Sequence, residues 1–595
     1  MDISLNLSRN EKALAVLRVV QFCFAALMVV CLVILAIRAA LRLESRWDTF
    51  MYHLPFAATY GGLDIPYEMN DRLQLALQGF PPLVHTVQGL LWRLTGSVNA
   101  TGVVNYLAFI AFLAICQRKF KAPFYLLAAI AMTAPLVLIH LTVSYVDLFG
   151  NCWLAIGLLS LFYAYYFDQT SDRSILVIGL LGLIAAAWSK YQLVPVVAFL
   201  LLLYFALYRP INFRRDPVQR QVLLWIIAAS LVAATPYIKN WVEFGNPFWP
   251  VRLPFFPEQF PFSQKFMSEN LFSNAPPPLL SSSQSTKFFH SLFEIGHPHE
   301  YEHRHRWIID QGNAWIAFRA GGFWNVSVVT YLLLACAVSI WIKPRKGLVV
   351  SLAGVGLLLL LSTFPQSHEL RYYLFIPLSW AGVIACLYPE LRRKSPLPAL
   401  AVLLTVIGLF IHVNIINLPY YMIERIGFAE VAHSWGADRY WPQMRGGVQY
   451  CVVDKVPMGM MFTGPTMTEF QVIDRTRREY CPEGSVVIAD GDDVTDAGLE
   501  PAMRKATELI YQEKNYPVAI GLLDLILEVN PHHFGALWQR AVALEQLGHY
   551  HLAVEAWEKT TIEAMKSGYT EAAEARARLE NLQRKAIRDS TEKPE

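Results

Sequence analysis

About eleven apolar stretches, each near the length of a membrane crossing, occupy residues 1–420 of this chain of 595 residues. A helix needs about 20 predominantly apolar residues to cross the hydrocarbon core of a bilayer. Because 55% of the residues are hydrophobic and 16% are charged, we expect an all-α polytopic membrane protein and not a soluble enzyme. The predicted crossings are 14–41, 100–116, 123–142, 145–167, 174–188, 191–208, 221–241, 327–342, 347–364, 371–388 and 398–418.

Basic clusters flank one set of ends of these stretches. Lys and Arg are enriched in cytoplasmic loops, so the pattern predicts that the clusters and the N-terminus lie inside the cell. The first stretch is too long for a cleaved signal peptide and is predicted to be a crossing. An odd number of crossings places the C-terminal region on the extracytoplasmic side of the membrane. The clusters are Arg118, Lys119 and Lys121; Arg209, Arg214, Arg215 and Arg220; Lys343, Arg345 and Lys346; and Arg392, Arg393 and Lys394.

Single ionisable residues mark the opposite ends of the same stretches. Charged groups at membrane depth are costly and are commonly functional. They therefore predict a functional site on the extracytoplasmic face, where two long loops, 43–99 and 243–326, also lie. The residues are Asp48, Asp147, Lys190, Lys239, His368, Glu369 and Arg371.

Two of these residues are carboxylates from different loops. Asp48 follows the first stretch and precedes the aromatic residues Tyr52 and His53, whose rings can stack on a sugar, and Asp147 lies in a short turn. A pair of carboxylates on one face suits acid–base or metal-assisted transfer. Each could instead cap the helix that follows it.

Three further residues are cations near helix ends, namely Lys190, Lys239 and Arg371. A single cation at such a place commonly extends its charge to the membrane surface. Three of them on the side that holds the acids favour a bound phosphate or pyrophosphate.

A histidine-rich segment between residues 297 and 305 could bind Zn or Mn, and a divalent cofactor ion (Mg, Mn or Zn) is one possibility for the site. The alternative interpretation is a polar, flexible stretch, and the sequence leaves both open. The sequence contains no phosphate-binding glycine loop or dinucleotide-binding motif, which argues against a nucleotide-dependent enzyme. Its net charge of +3 gives no reason to expect nucleic acid binding. The candidate metal ligands are His297, His299, His303 and His305.

The sequence becomes polar beyond residue 420. Residues 421–500 are predicted to form a small extracytoplasmic linker region, with strand-like runs at 449–453 and 486–489. Residues 501–585 are predicted to be helical, and 586–595 a disordered tail. Tyr516, Ala519 and Leu523 recur 34 positions later as Tyr550, Ala553 and Trp557. This period predicts tetratricopeptide-like repeats, which commonly bind a protein partner.

Two cysteines lie in the polar C-terminal third, Cys451 and Cys481. If this part of the chain is exported, they are natural partners for a disulfide bond.

The residues of the membrane part resemble the GT-C class of membrane glycosyltransferases, which includes the protein O-mannosyltransferases and the bacterial aminoarabinose transferases. The resemblance covers about residues 14–418. Its motifs occur in order and on one side of the predicted membrane. They are Asp48 with Tyr52-His53, Phe80-Pro81-Pro82-Leu83, Pro135, Asp147, Ser189-Lys190-Tyr191, Lys239-Asn240-Trp241 with Gly245-Asn246-Pro247, and Arg371-Tyr372 with Pro377.

The resemblance implies inverting transfer of a sugar from a polyprenyl-phosphate donor to a lipid, glycan or protein acceptor on the extracytoplasmic face. Asp48 would act as the base or as a metal-linked carboxylate, assisted by Asp147, and Lys190 and Arg371 would bind the donor phosphate. We predict Lys239 as a third phosphate ligand. The predicted substrate contacts are Tyr52, His53, Glu369 and Tyr372.

The chain also departs from this class. Asp48-Thr49 stands where many members have Asp-Glu, and a second acid of the first loop could be Glu68 or Asp71. The repeat-containing tail is not a general feature of the class. One alternative is a transporter or flippase of a lipid-linked anion, which would favour inverted repeats and broken helices at mid-membrane. Another is a membrane-anchored assembly scaffold, which would not need so many crossings.

Overall fold

The computed structural model describes residues 9–591, except for 42, 45–47, 209–216, 252–280, 294–324, 422–426, 435, 454–458, 476, 478–479, 489–495, 530 and 567–570. The chain divides into two compact units. Unit 1 comprises Met1–Ile65 and Asp71–Val431, and unit 2 comprises Pro66–Asn70 and Ala432–Glu595.

Unit 1 is helical throughout its described part. Its helices are α1 (Arg9–Leu41), α2 (Leu54–Gly61), α3 (Asp71–Gly79), α4 (Leu83–Thr95), α5 (Val103–Phe120), α6 (Phe124–Ala131), α7 (Pro135–His140), α8 (Asp147–Tyr166), α9 (Arg173–Ala187), α10 (Val194–Leu207), α11 (Pro217–Phe244), α12 (Gln284–Phe293), α13 (Asn325–Ile342), α14 (Pro344–Ser362), α15 (Phe375–Lys394) and α16 (Pro396–Tyr421). Helix α17, Phe428–Ser434, carries the chain from unit 1 into unit 2. The short helices α2, α3 and α4 lie within the loop 43–99.

Within the described residues, eight helices are long and apolar enough to cross a membrane, as in an integral membrane protein. These are α1, α5, α8, α11, α13, α14, α15 and α16. Two of the other predicted crossings correspond to α9 and α10, which have only 15 and 14 residues. At about 1.5 Å per residue, such helices are shorter than the roughly 30 Å hydrocarbon core.

The remaining predicted crossing, 123–142, is broken into two helices. Helix α6 ends at Ala131 and α7 begins at Pro135, with Ala134 in an extended conformation (φ −88°, ψ 111°). Proline disfavours a helical conformation of the residue before it and cannot donate a backbone hydrogen bond. Pro135 therefore accounts for the interruption.

Helices α8 and α15 form the centre of the bundle. In the apolar windows of these two helices 72% and 83% of residues are buried, against 22% in α1 and in α14. Small residues permit close packing between α8 and α9, since a Cβ added at Gly182 would lie 2.6 Å from the carbonyl oxygen of Trp153.

At one end of this bundle, basic side chains contact neighbouring helices and turns. Lys119 at the end of α5 donates to Ser174 of α9 (3.2 Å), and Lys394 at the end of α15 donates to the carbonyl of Ile342 (2.9 Å). Lys346 pairs with Asp168, just beyond α8. The first residue of α8 and the segment before α15 lie at the opposite ends of these helices, where the candidate site is found.

Unit 2 contains a sheet and a helical array. Its described strands are β1 (Tyr67–Glu68), β2 (Gln449–Val453), β3 (Gln471–Arg475) and β4 (Val486–Ile488), and all pair in parallel in the order β1-β3-β2-β4. The runs predicted as strands at 449–453 and 486–489 are confirmed as β2 and β4. The sheet adds a β element to a predominantly helical chain, and its edge strand β1 comes from the loop 43–99.

The disulfide bond predicted between Cys451 and Cys481 is present, with a Cα–Cα distance of 5.7 Å. It joins β2 to the segment that precedes β4. The bond therefore ties β2, which pairs with β3, to the chain between β3 and β4. Strand β3 in turn pairs with β1.

Five helices follow the sheet. They are α18 (Asp496–Tyr511), α19 (Tyr516–Val529), α20 (Phe534–Gln546), α21 (Tyr550–Lys566) and α22 (Ala572–Thr591). Helices α19 and α21 begin 34 positions apart, and the repeated residues Ala519, Leu523, Ala553 and Trp557 are all fully buried. The predicted disordered tail 586–595 needs correction, because α22 continues to Thr591.

Candidate functional site

Asp48 and Asp147 each pair with a cation from a distant part of the chain. Arg371 Nη1 donates to Asp48 Oδ2 at 3.1 Å, and the ammonium of Lys190 pairs with Asp147 Oδ1. The side chain of Asp147 is 2% exposed and that of Asp48 is 21% exposed. Two of the predicted acids and two of the predicted cations therefore form two ion pairs.

The two cations, Lys190 and Arg371, both lie close to the ring of Tyr372. Lys190 Nζ lies 4.0 Å and Arg371 Cζ 5.0 Å from the centre of this ring. The guanidinium of Arg371 also donates to the Tyr372 hydroxyl at 3.1 Å. Both cations thus converge on a single aromatic ring in the short turn Leu370–Tyr373, just before α15 begins.

Asp48 does not serve as a helix cap. It immediately precedes a π-helical turn, Thr49–His53, and its side chain makes no capping hydrogen bond within the described residues. Instead it accepts hydrogen bonds from Arg371 and, at 3.2 Å, from the Tyr52 hydroxyl. The capping interpretation of Asp48 is therefore not supported.

Asp147 is the first residue of α8, and its carboxylate is also committed to an ion pair and not to a cap. A negative charge in the first turn of a helix interacts favourably with the helix dipole. Burial lowers the pKa of Lys190, and the adjacent Asp147 carboxylate opposes that change. The pair keeps a buried cation and a buried anion mutually compensated.

Glu369 lies next to this cluster. Its Oε2 is 3.8 Å from Arg371 Nε, and its side chain is 2% exposed. Burial raises the pKa of the Glu369 carboxyl, while the positive charge of Arg371 opposes the rise. Counted as ionised, the three carboxylates and two cations carry one net negative charge, so Glu369 is the group whose protonation would neutralise the cluster.

Glu44 is a site residue that the sequence did not reveal. Its Oε1 accepts hydrogen bonds from the Thr49 hydroxyl (2.5 Å) and from the backbone N–H of Ser144 (2.7 Å). Glu44 thus connects the turn that follows Asp48 to the turn that precedes Asp147. The signal available in the sequence was the presence of an acid at the end of an apolar stretch.

Two buried asparagines complete the support of the Asp147 turn. Asn105 Nδ2 donates to the carbonyls of Val143 (3.0 Å) and Tyr145 (2.6 Å). Asn151 donates to the Asp147 carbonyl at 2.7 Å and accepts from the N–H of Phe375 at 2.8 Å. Because Phe375 begins α15, Asn151 also ties α8 to the helix that follows Arg371.

His53 forms a pair that the sequence did not predict. Its Nδ1 lies 2.9 Å from Nε2 of His85, and the two rings stack with centres 5.2 Å apart. Burial lowers the pKa of His53 well below its usual range and that of His85 to about 3. Both rings are therefore neutral, and His53 Nε2 has no hydrogen-bond partner among the described residues. The centre of the His53 ring also lies 4.2 Å from that of Tyr52 and 5.1 Å from that of Tyr145.

Lys239 contacts other groups. Its ammonium donates to the Gln78 carbonyl at 2.6 Å and pairs with Glu243 at 3.0 Å, and its side chain is 44% exposed. The adjacent Asn240 donates to the carbonyl of Gly79 at 2.8 Å. The structure thus places Lys239 and Asn240 against the end of α3. None of these contacts of Lys239 involves the two ion pairs.

The other singled-out residues have structural partners or lie outside the described part. His368 is buried, with its Nδ1 2.9 Å from the Gln284 amide of α12. Glu68 pairs with Arg475 in unit 2, and Asp71 begins α3. His297, His299, His303 and His305 lie outside the described residues. Within the described residues, no group of three or more His, Cys, Asp or Glu side chains could hold a metal ion.

The cluster combines groups that suit anion binding and proton transfer. Lys190 and Arg371 supply positive charge next to the Tyr372 ring, and Asp48 and Asp147 are the carboxylates that pair with them. No family model matches this chain, and no curated protein or solved structure matches it.

Proposed function

We propose that the protein transfers a sugar from a polyprenyl-phosphate donor to an acceptor on the extracytoplasmic face of the membrane. The observation that carries this proposal is the convergence of Lys190 and Arg371 on Tyr372, each cation paired with a carboxylate from another segment. Cations at such a position suit the phosphate of a lipid-linked donor, whose apolar tail would lie among the helices. The resemblance of residues 14–418 to the GT-C class supports the same reaction.

The geometry suggests how the reaction would proceed. The donor phosphate would compete with Asp48 for the guanidinium of Arg371 and so release the carboxylate. An acceptor hydroxyl oxygen would then form a bond to the anomeric carbon of the sugar, while the bond from that carbon to the phosphate oxygen breaks. Asp48 would take the hydroxyl proton, and Lys190 and Arg371 would stabilise the departing polyprenyl phosphate. Attack from the side opposite the leaving group inverts the anomeric centre.

The proposed arrangement in the membrane has eleven crossings, with α9, α10 and the pair α6–α7 added to the eight long apolar helices. The protein would lie in the bacterial inner membrane with unit 2 outside. A divalent metal ion (Mg, Mn or Zn) is not required by the proposed step, and the histidine segment 297–305 stays a candidate site for Zn or Mn.

We propose further that the helical array of unit 2 is tetratricopeptide-like and recruits a protein partner or acceptor. Two observations support this: the 34-residue offset of α19 and α21, and a groove of about 580 Å³ on the array. The groove is lined by Met503, Arg504, Thr507, Glu508, Gln512, His533 and Gln539.

The test is reconstitution of the full chain in nanodiscs with a panel of synthetic polyprenyl-phosphate and polyprenyl-pyrophosphate sugars. Mass spectrometry of the lipids should show release of free polyprenyl phosphate and a glycosylated acceptor. Candidate acceptors come from surface glycans and lipids that change in cells lacking the gene. In liposomes, movement of the intact donor between leaflets without its cleavage would instead identify a flippase.

A further inference from the structure

A five-residue segment of the loop 43–99 is a structural part of unit 2. We name this segment, Pro66–Asn70, the strap. It leaves unit 1 after Ile65 and returns to it at Asp71. The strap pairs with β3 through Tyr67 and Glu68, which lie opposite Val472 and Ile473.

A buried carboxylate holds the strap in place. Asp474, at 1% exposure, accepts hydrogen bonds at Oδ2 from the Tyr67 hydroxyl (3.1 Å) and from the Asn70 amide (3.0 Å). Both donors belong to the strap. A buried charge is tolerated only when it is hydrogen-bonded, so the two strap donors stabilise the Asp474 carboxylate and the carboxylate in turn holds the strap.

The surroundings of Asp474 fit this contact closely. A Cβ added at Gly459 would lie 2.9 Å from both Asp474 Oδ2 and the Tyr67 hydroxyl, so a larger residue would displace one of them. Arg475 pairs with Glu68 at 2.5 Å, and the N–H of Val472 donates to the Pro66 carbonyl at 2.8 Å. Burial and then the charge of Asp474 raise the pKa of Tyr67 well above its usual range, which keeps its hydroxyl a donor.

The strap belongs to the segment of chain that builds the candidate site. Asp48, Tyr52 and His53 precede it by fewer than twenty residues, and His85 follows it. Helix α2 connects His53 to the strap, and α3 leads from the strap toward α4. If the strap is fixed, the parts of the loop 43–99 before and after it are each attached at one more point and have fewer residues that can move freely.

We propose that unit 2 fixes the loop 43–99 through the strap, and that Asp474 is a positioning residue for the catalytic Asp48. This inference rests on the proposed function only for its effect on catalysis. The attachment itself concerns the protein in the absence of any substrate. It assigns to unit 2 a role that is independent of partner recruitment by the helical array.

The experiment compares full-length wild-type protein with Asp474→Asn in nanodiscs by hydrogen exchange and mass spectrometry. Asp474→Asn keeps the size of the side chain but removes the charge that the two strap donors stabilise. Exchange in peptides that cover 66–70 should become at least about tenfold faster, and exchange over 48–61 should rise as well. Exchange over 534–566, in the helical array, should be unchanged.

Asp438→Asn is the matched control, because Asp438 lies in unit 2 but pairs with His433 (2.6 Å) and not with the strap. It should leave the exchange of 66–70 at the wild-type rate. Tyr67→Phe, which deletes a single hydroxyl, is the milder variant to use if Asp474→Asn does not fold. Equal exchange of 66–70 in wild type, Asp474→Asn and Tyr67→Phe would overturn the attachment.

Kinetics separate positioning from donor binding. With donor supplied at saturation, Asp474→Asn should lower kcat by about tenfold or more, because small displacements of catalytic groups are costly, while the donor Kd stays within about twofold of wild type. Faster exchange of 66–70 with unchanged exchange of 48–61 would overturn the positioning role, as would an unchanged kcat. If the wild-type protein transfers no sugar, the proposed function fails, yet the two exchange measurements still decide the inference.

Discussion

At the residue scale, the candidate site consists of charges that neutralise one another in the absence of substrate. Asp48 and Asp147 lie within ion pairs whose cations come from residues 371 and 190. In the proposed mechanism the donor phosphate replaces a carboxylate on these cations, which would couple ligand binding to the release of a base. Substitutions of the acids and of the cations should therefore affect different steps.

Asp48→Asn should lower kcat by about a hundredfold or more, because the amide cannot take the acceptor proton. The donor Kd should stay the same or fall, since the neutral amide competes less well than the carboxylate with the donor phosphate for Arg371. The measurement is single-turnover transfer with saturating donor. Asp64→Asn, an exposed acid of the same loop, is the control. Full activity of Asp48→Asn would remove Asp48 from the proposed mechanism.

Arg371→Ala should weaken donor binding by about tenfold or more, because it removes the charge-assisted contact to phosphate. It also leaves the carboxylates of Asp48 and Glu369 without their common cation, so the thermal midpoint should fall. Arg72→Ala, at an exposed position of α3, controls for the loss of an arginine. A donor Kd equal to that of wild type would contradict the assignment.

The neutral histidine pair makes the fold sensitive to acid. The pKa of His85 is lowered to about 3 in the folded protein, whereas an unfolded histidine titrates near about 6.5. As pH falls below about 6.5, the unfolded chain binds a proton that the folded chain does not, so stability is lost. From pH 7 to pH 5, His85 alone should cost about 2 kcal/mol of unfolding free energy. His85→Gln should weaken this pH dependence of the thermal midpoint, and an identical dependence in wild type and variant would refute the explanation.

The sequence predicted the charged residues of the site better than their supports. Asp48, Asp147, Lys190 and Arg371 stand out because charge at membrane depth is rare. Glu44 and His85 escaped notice, since their importance depends on partners at residues 144 and 53. Lys239 shows the reverse, because its position in the sequence resembles that of Lys190 while its partners are the end of α3 and Glu243.

At the scale of elements, local chemistry explains what the hydropathy of the sequence could not. Pro135 divides a predicted crossing into α6 and α7, although its apolar run is continuous. Helices α9 and α10 are apolar but short. The strands β2 and β4 were predicted from their own residues, but β1 is two residues long and exists only because β3 lies beside it.

The disulfide bond gives the sheet of unit 2 a measurable contribution to stability. Closing a loop of 30 residues between Cys451 and Cys481 should contribute about 3–4 kcal/mol in the chain-entropy model. The double variant Cys451→Ser/Cys481→Ser should unfold its unit 2 at a lower denaturant concentration than the wild type. Hydrogen exchange in 449–453 measures this midpoint. Cys23→Ser, an exposed free cysteine of α1, is the control. Without reductant, thiol reagents should label neither Cys451 nor Cys481, and labelling of both in the native protein would contradict the bond.

At the scale of the whole molecule, the basic residues and the candidate site lie at opposite ends of the same helices. Lys119, Lys346 and Lys394 contact neighbouring helices at one end, and the ion pairs lie at the other. The sequence predicted this separation from charge alone. It did not predict the division into two units with a strap, because pairing between residues 67 and 472 leaves no periodic signal.

The eleven crossings that we propose, with the N-terminus inside, would place the C-terminus outside. A reporter that is active only in an oxidising compartment, fused after Glu595, should be active, and a reporter active only in the cytoplasm should be silent. The same pair of reporters fused after Lys121 should give the opposite result, since this residue belongs to a basic cluster. Activity of the cytoplasmic reporter after Glu595 would show that the number of crossings is wrong by an odd number.

The strap also imposes an order on the synthesis of the protein. Asn70 and its partner Asp474 are separated by 404 residues, which a ribosome adds in roughly 20 to 80 s at about 5–20 residues per second. For that time Tyr67 and Asn70 are already made while their acceptor does not yet exist. A nascent chain therefore carries the loop 43–99 before the partners of Pro66–Asn70 exist, and these contacts can form only after the intervening helices, β2 and β3 have been synthesised. A part of unit 2 that is made late thus supplies the partners of a segment that is made early.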